Sequence, residues 1–82
     1  GPAVPEPRLP PAPTPDPLPD AFGEVVLHGN TLRVPRFGRA GLLAGHRLHG
    51  PAIVTEYSAT TWLPPGWRAE VLSGGGILME RE

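Results

Sequence analysis

The chain has 82 residues, no cysteine, seven basic against eight acidic residues and a net charge of −1. That length supports one small domain, and with neither disulfides nor a cysteine-type zinc site its stability is marginal unless a partner surface adds to it. The near-neutral charge carries no nucleic-acid footprint, no apolar run approaches the roughly 20 residues of a membrane helix, and the basic-then-apolar order of a secretory signal is missing, so a cytoplasmic protein is expected.

Residues 1–20 hold nine of the thirteen prolines. Proline fixes φ and removes an amide donor, so this segment is expected to be an extended polyproline II arm or linker, reaching about 60 Å if straight. Its Pro-x-x-Pro units resemble ligands of aromatic grooves, but Arg8 does not sit at the spacing such ligands show. From Ala21 the composition becomes β-prone, and residues 21–82 are read as one small β domain.

Glu24 to His28 and Thr31 to Val34 flank Gly29-Asn30, a two-residue hairpin turn that needs positive φ. Pro35 is expected to end the second strand or to place it at a sheet edge. Arg39 to His49 is too short and too rich in glycine for a helix, leaving room for a single turn. Gly50-Pro51 then opens a strand from Ala52 to Glu56, followed by another from Thr60 to Leu63. Pro64-Pro65-Gly66 fits a type II turn, with proline at the second position and glycine at the third. Arg68 to Leu72 alternates polar and apolar, Ser73 to Gly76 is a flexible turn, and Ile77 to Glu80 is the last strand.

About six short strands at this spacing predict an all-β fold, either a small barrel or two packed sheets, behind the proline arm. The expected core is Val25, Leu27, Leu32, Leu48, Ile53, Val54, Leu63, Val71 and Ile77. Trp62 and Trp67 flank the Pro-Pro-Gly turn, where two rings are expected to clamp that core.

Chemistry is scarce. All seven basic residues are arginine, which excludes a lysine carrier of lipoate or biotin, a Schiff base and a Walker lysine. His46 and His49 lie three apart, a metal-ligand spacing on a helix but not in a glycine-flanked loop or strand, so no metal site is expected. Glu56, Ser58, Thr60 and Thr61 form the one polar cluster within an apolar stretch. Its simplest role is a hydroxyl-capped turn with Glu56 paired to Arg39 or Arg47. No set of nucleophile, base and orienting group can be assembled, so no catalytic residue is assigned.

Pro35, Phe37, Arg39, Leu42, Gly45, Arg47, Gly50, Pro51, Ala52, Ile53, Glu56, Thr60, Thr61, Pro64, Pro65, Gly66 and Trp67 match, without a gap, a pattern of another kind. The stretch from Val34 to Trp67 resembles the C-terminal domain of the hydantoinase A and 5-oxoprolinase family, which includes acetone and acetophenone carboxylase subunits. Gly76-Ile77-Leu78-Met79-Glu80 resembles the end of that domain. The chain departs from the pattern at Ser58-Ala59, at Val54-Thr55-Glu56, where one of two paired acids is lost, and at Phe37-Gly38-Arg39, where glycine replaces aspartate.

By this resemblance the chain is a non-catalytic small subunit or C-terminal domain of an ATP-dependent enzyme that opens cyclic amides or carboxylates ketones. Its partners would be the large catalytic subunits of hydantoinase A and B type. ATP and a divalent metal would belong to those subunits, with no cofactor on this chain. Glu56, Ser58, Thr60, Thr61, Trp62 and Trp67 would face the partner, while Gly29, Asn30, Gly50, Pro51, Pro64, Pro65 and Gly66 shape turns. The alternative is a free-standing β interaction module whose proline arm recruits a partner protein.

Overall fold

The computed structural model describes residues 15–82. The polyproline expectation for residues 1–14 lies outside them. Seven strands and one short 3-10 turn follow in order: β1 (Ala21–Leu27), β2 (Asn30–Gly38), η1 (Arg39–Gly41), β3 (Arg47–His49), β4 (Ala52–Glu56), β5 (Ala59–Leu63), β6 (Trp67–Val71) and β7 (Ile77–Arg81). They form a four-stranded sheet in the order β1-β2-β4-β5 and a three-stranded sheet in the order β3-β6-β7. No ladder joins the two sheets, so the fold is a two-sheet stack rather than a closed barrel.

The first hairpin turns at His28-Gly29, one residue before the Gly29-Asn30 turn expected from sequence. His28 and Gly29 both take positive φ, 49° and 78°, as a type I′ turn requires, and Asn30 already pairs with Leu27 as the first residue of β2. Histidine tolerates this region better than branched residues do. The resulting register sets Gly23 opposite Val34, and the Arg36 side chain lies over Gly23. It also brings Asp20 to the end of β2, where its amide donates to the Arg36 carbonyl at 2.9 Å and its carboxylate accepts from the Gly38 amide.

Pro35 neither ends β2 nor puts it at an edge: β2 runs on to Gly38 between β1 and β4. Counting from the Leu27–Asn30 pair that closes the turn, Pro35 falls at a non-hydrogen-bonded position of the β1 ladder. Parallel pairing with β4 begins only at Arg36. The missing N–H therefore removes no ladder bond on either side.

The core lies between the sheets. Phe37, Ala52, Val54 and Leu63 come from the four-stranded sheet and Leu48, Ala69 and Val71 from the other, with Leu42 closing one end. Trp67, Ile77 and Met79 pack against this cluster from its rim. Leu48, Val54, Leu63 and Val71 were expected there. Val25, Leu27, Leu32 and Ile53 are instead only half-buried, on the face of the larger sheet turned away from the core. Val34 shares that outer face yet is fully buried. The sequence shows alternation but not which phase of it meets the second sheet; β3, three residues between glycines, gives no periodic signal.

The two halves of the signature stretch meet at the junction of the sheets. Gly50 precedes a cis peptide bond to Pro51, and its amide donates to the Trp67 carbonyl at 2.8 Å. A Cβ on Gly50 would overlap the Pro64 carbonyl oxygen, 2.5 Å from the carbonyl carbon and 3.0 Å from the Leu63 oxygen. Backbone on both sides leaves nothing to swing aside. The turn that Gly50 touches is closed by the Trp67 amide donating to Pro64 at 3.1 Å, with Gly66 at φ 82°. Gly50→Ala is expected to cost about 3 kcal/mol or more through overpacking. Gly41→Ala, where a Cβ meets no atom within 4 Å, stays near wild type; urea unfolding of the two variants checks both.

Candidate functional site

β4 and β5 form a hairpin in which Glu56 pairs with Ala59 across the two-residue turn Tyr57-Ser58. The β-branched residues of both strands suit a pleated surface, and the absence of proline and glycine lets the ladder run to its tip. Tyr57 is fully exposed at that tip, and Glu56, Ser58, Thr60 and Thr61 are exposed beside it. Below the tip, Thr55 donates its hydroxyl to the Phe37 carbonyl at 3.5 Å. A shallow groove lies between this hairpin and η1, lined by Gly38, Arg39, Ala40, Thr55, Glu56 and Tyr57.

The expected pairing of Glu56 is not made. Arg39 is held by carbonyls: one guanidinium nitrogen donates to Leu42 at 3.2 Å and another to Gly75, which ties η1 to the β6–β7 turn. Arg47 pairs with Glu70 at 3.3 Å on the outside of the smaller sheet. Among the described residues Glu56 has no ion-pair partner, so the polar cluster is a free surface and not an internal brace.

The histidines also separate. His46 is buried and its Nδ1 accepts the Leu43 amide at 2.9 Å, which fixes a loop turn. His49 is exposed on β3 and contacts Glu82. Their sequence spacing does not bring them to one site, and no group of three potential metal ligands occurs among the described residues.

The outer face of the smaller sheet carries a groove of about 400 Å³ lined by Arg47, His49, Arg68, Ala69, Glu70, Leu78 and Glu80. Its charges are matched within the fold: Arg47 with Glu70, and Arg68 with Glu80 at 3.0 Å. Exposed pairs of this kind contribute little to stability and leave no uncompensated charge to attract a ligand.

The two tryptophans do not clamp one core. Trp67 packs against the core cluster, with the Arg81 guanidinium 5.6 Å from its ring centre. Trp62 pairs with Ile53 on the opposite face of the larger sheet, in line with Leu32, Val25 and Leu27, all half-exposed. Adjacent strand residues point to opposite faces, and because Leu63 enters the core Trp62 faces away from it. This face, which also carries Arg36 beside Ile53, and the bare hairpin tip are among the parts of the fold that internal packing leaves partly open. Sequence reasoning missed Tyr57 and Asp20: neither belongs to a repeating pattern, and the Asp20 anchor shows only once Gly38 is opposite it in space.

No helix among the described residues is long and apolar enough to cross a membrane. No family model matches the sequence. Among solved structures the chain is similar to acetone carboxylase in its nucleotide-free form, from work on the mechanism of ATP-dependent acetone carboxylation. The TM-score is 0.74 at 16% identity, over 98% of this chain and 12% of that one. The likeness is one of fold, and the chain spans about an eighth of the length of the carboxylase polypeptide.

Because the side chains of Glu56 and Ser58 make no bond among the described residues, Glu56→Ala and Ser58→Ala are each expected to leave stability within about 0.5 kcal/mol of wild type. Leu63→Ala, in the core one strand away, costs about 3 kcal/mol. Thermal unfolding monitored by tryptophan fluorescence separates the two classes.

Proposed function

We propose that this chain is a non-catalytic β domain of an ATP-dependent carboxylase or cyclic-amide hydrolase, and that it braces the large catalytic polypeptides. The observation that carries the reading is the fold shared, over nearly the whole chain, with a small part of acetone carboxylase. The gapless residue pattern from Pro35 to Trp67 supports the wider hydantoinase and 5-oxoprolinase relationship. The inventory of the described residues agrees: its buried histidine serves a turn, Arg33, Arg39, Arg47, Arg68 and Arg81 hold rings, carbonyls or carboxylates, and its carboxylates lie on or near the surface.

In this reading ATP and a divalent metal work on the large polypeptides, in the cytoplasm, and this domain supplies shape. The Ile53–Trp62 face of the larger sheet, with Thr60 on it and Ser58 at its tip, seats against them, while Glu56 lies on the Thr61 side of the hairpin. Half-exposed aliphatic and indole surface on a rigid sheet is the surface that gains from being covered. Thr61 points to the other face and Trp67 into the rim of the core, so neither belongs to this contact. The Gly50, Pro51, Pro64, Pro65 and Gly66 part of the signature sets the shape of the domain rather than its chemistry.

An antibody raised against the chain is the test, used on extract from the native cell. It should recover a polypeptide with several times the mass of this domain, and the recovered material should hydrolyse ATP in a ketone- or cyclic-amide-dependent way. The isolated chain should turn over neither substrate. Ile53→Glu should abolish the recovery while leaving the isolated domain folded. Turnover by the chain alone, or recovery of the chain with no large polypeptide in either form, overturns the reading.

A further inference from the structure

The larger sheet ends at β5, whose only ladder partner is β4. An open strand edge presents unpaired N–H and C=O groups, and folded proteins guard such edges with charge, proline or bulges. The other three edges here carry charge: Glu24 on β1, Arg47 on β3, and Glu80 and Arg81 on β7. β5 has none. The run Tyr57-Ser58-Ala59-Thr60-Thr61-Trp62-Leu63 contains no charge, no proline and no glycine, and its first five residues are exposed. That is the composition of a segment that pairs with another strand when left uncovered.

Register identifies the groups on offer. In an antiparallel ladder closed by a two-residue turn, the closing pair is hydrogen-bonded and alternate pairs are not. From Glu56–Ala59 it follows that Ala59, Thr61 and Leu63 direct their amides and carbonyls at β4, while Thr60 and Trp62 direct theirs outward. No backbone bond elsewhere among the described residues reaches those outward groups.

We propose that β5 pairs with β5 of a second copy of this chain, antiparallel about a twofold axis at Thr61. In that arrangement Thr60 of each copy faces Trp62 of the other as a hydrogen-bonded pair, and all the outward groups of both residues are satisfied in four bonds. Thr61 meets its own counterpart at a close, non-hydrogen-bonded position. Ala59 faces Leu63. Glu56 and Arg68, the nearest charges in sequence, lie beyond the turns that bound β5, so no like charges oppose each other along the ladder. The edge is thus complementary to itself in charge and in hydrogen bonding, which singles out a second copy as its occupant. The product is one continuous eight-stranded sheet that sets two Ile53–Trp62 faces side by side. This pairing uses an edge, and it stands independently of the contact proposed for the face.

Sedimentation velocity of the 82-residue chain from micromolar to millimolar concentration is the test. A reversible monomer–dimer equilibrium is expected, with the Thr60 and Trp62 amides gaining hydrogen-exchange protection as the dimer forms. Thr61→Lys and Thr61→Glu set like charges against each other at the axis, so each is expected to weaken association about tenfold with unchanged circular dichroism. Mixing the two variants in equal amounts should restore it. A wild-type chain monomeric throughout overturns the proposal, and so does a Thr61→Lys dimer as tight as wild type, which would mean association through another surface.

Discussion

The fold turns on the close approach of Gly50 to the Leu63–Pro64 backbone. β4 and β5 belong to one sheet, and β3 and β6 to the other, so the chain crosses between sheets twice within about twenty residues, once at Gly50-Pro51 and once at Pro64-Pro65-Gly66. Both crossings occupy the same place. The Gly50 amide caps the Trp67 carbonyl at the start of β6, and the space a side chain would need is filled by the Pro64 carbonyl. With that contact made, Ala52, Val54 and Leu63 from one sheet and Leu48, Ala69 and Val71 from the other face each other as core. Other bonds lengthen the ladders of the smaller sheet: Gly45 and His46 with Val71 beyond β3–β6, and Glu82 with Gly66 beyond β6–β7.

This gives the signature stretch a structural meaning. Gly-Pro-Ala and Pro-Pro-Gly-Trp look like separate motifs in sequence, yet in space they are the two sides of one joint. A joint made by backbone tolerates little change, because no side-chain rotamer can relieve a clash between main chains. The residues between the halves do different work. They form a hairpin whose tip is exposed and whose outer face is only partly covered, so a rigid base presents an open surface.

The readable parts of the fold were those fixed by local chemistry. β4, β5, β6 and β7 lie within a residue or so of where β-branched and alternating runs place them, because Pro-Pro-Gly and the glycine-rich Ser73 to Gly76 turn bound them on either side. Features that depend on a distant partner were not readable. The turn at His28-Gly29 follows from a register that also has to seat Asp20 against Gly38. Pro35 inside β2 follows from the point at which β4 begins to pair. The burial of Phe37 and Leu42 depends on a second sheet arriving from beyond residue 47. The expected Glu56 ion pair does not form for the same reason: the arginines near it in sequence are bonded elsewhere, Arg39 to carbonyls and Arg47 across the β3–β6 ladder. The polar cluster that sequence singles out lies at an exposed hairpin tip beside a shallow groove.

Native-state hydrogen exchange at Gly50 tests the joint most directly. If the meeting of the two crossings holds the sheets together, the Gly50 amide opens only with global unfolding, at the same free energy as the amides of the Val54 and Ala69 core strands. Exchange at the rate of the Leu72 to Gly76 loop, while those strands stay protected, would show that the sheets stand without it.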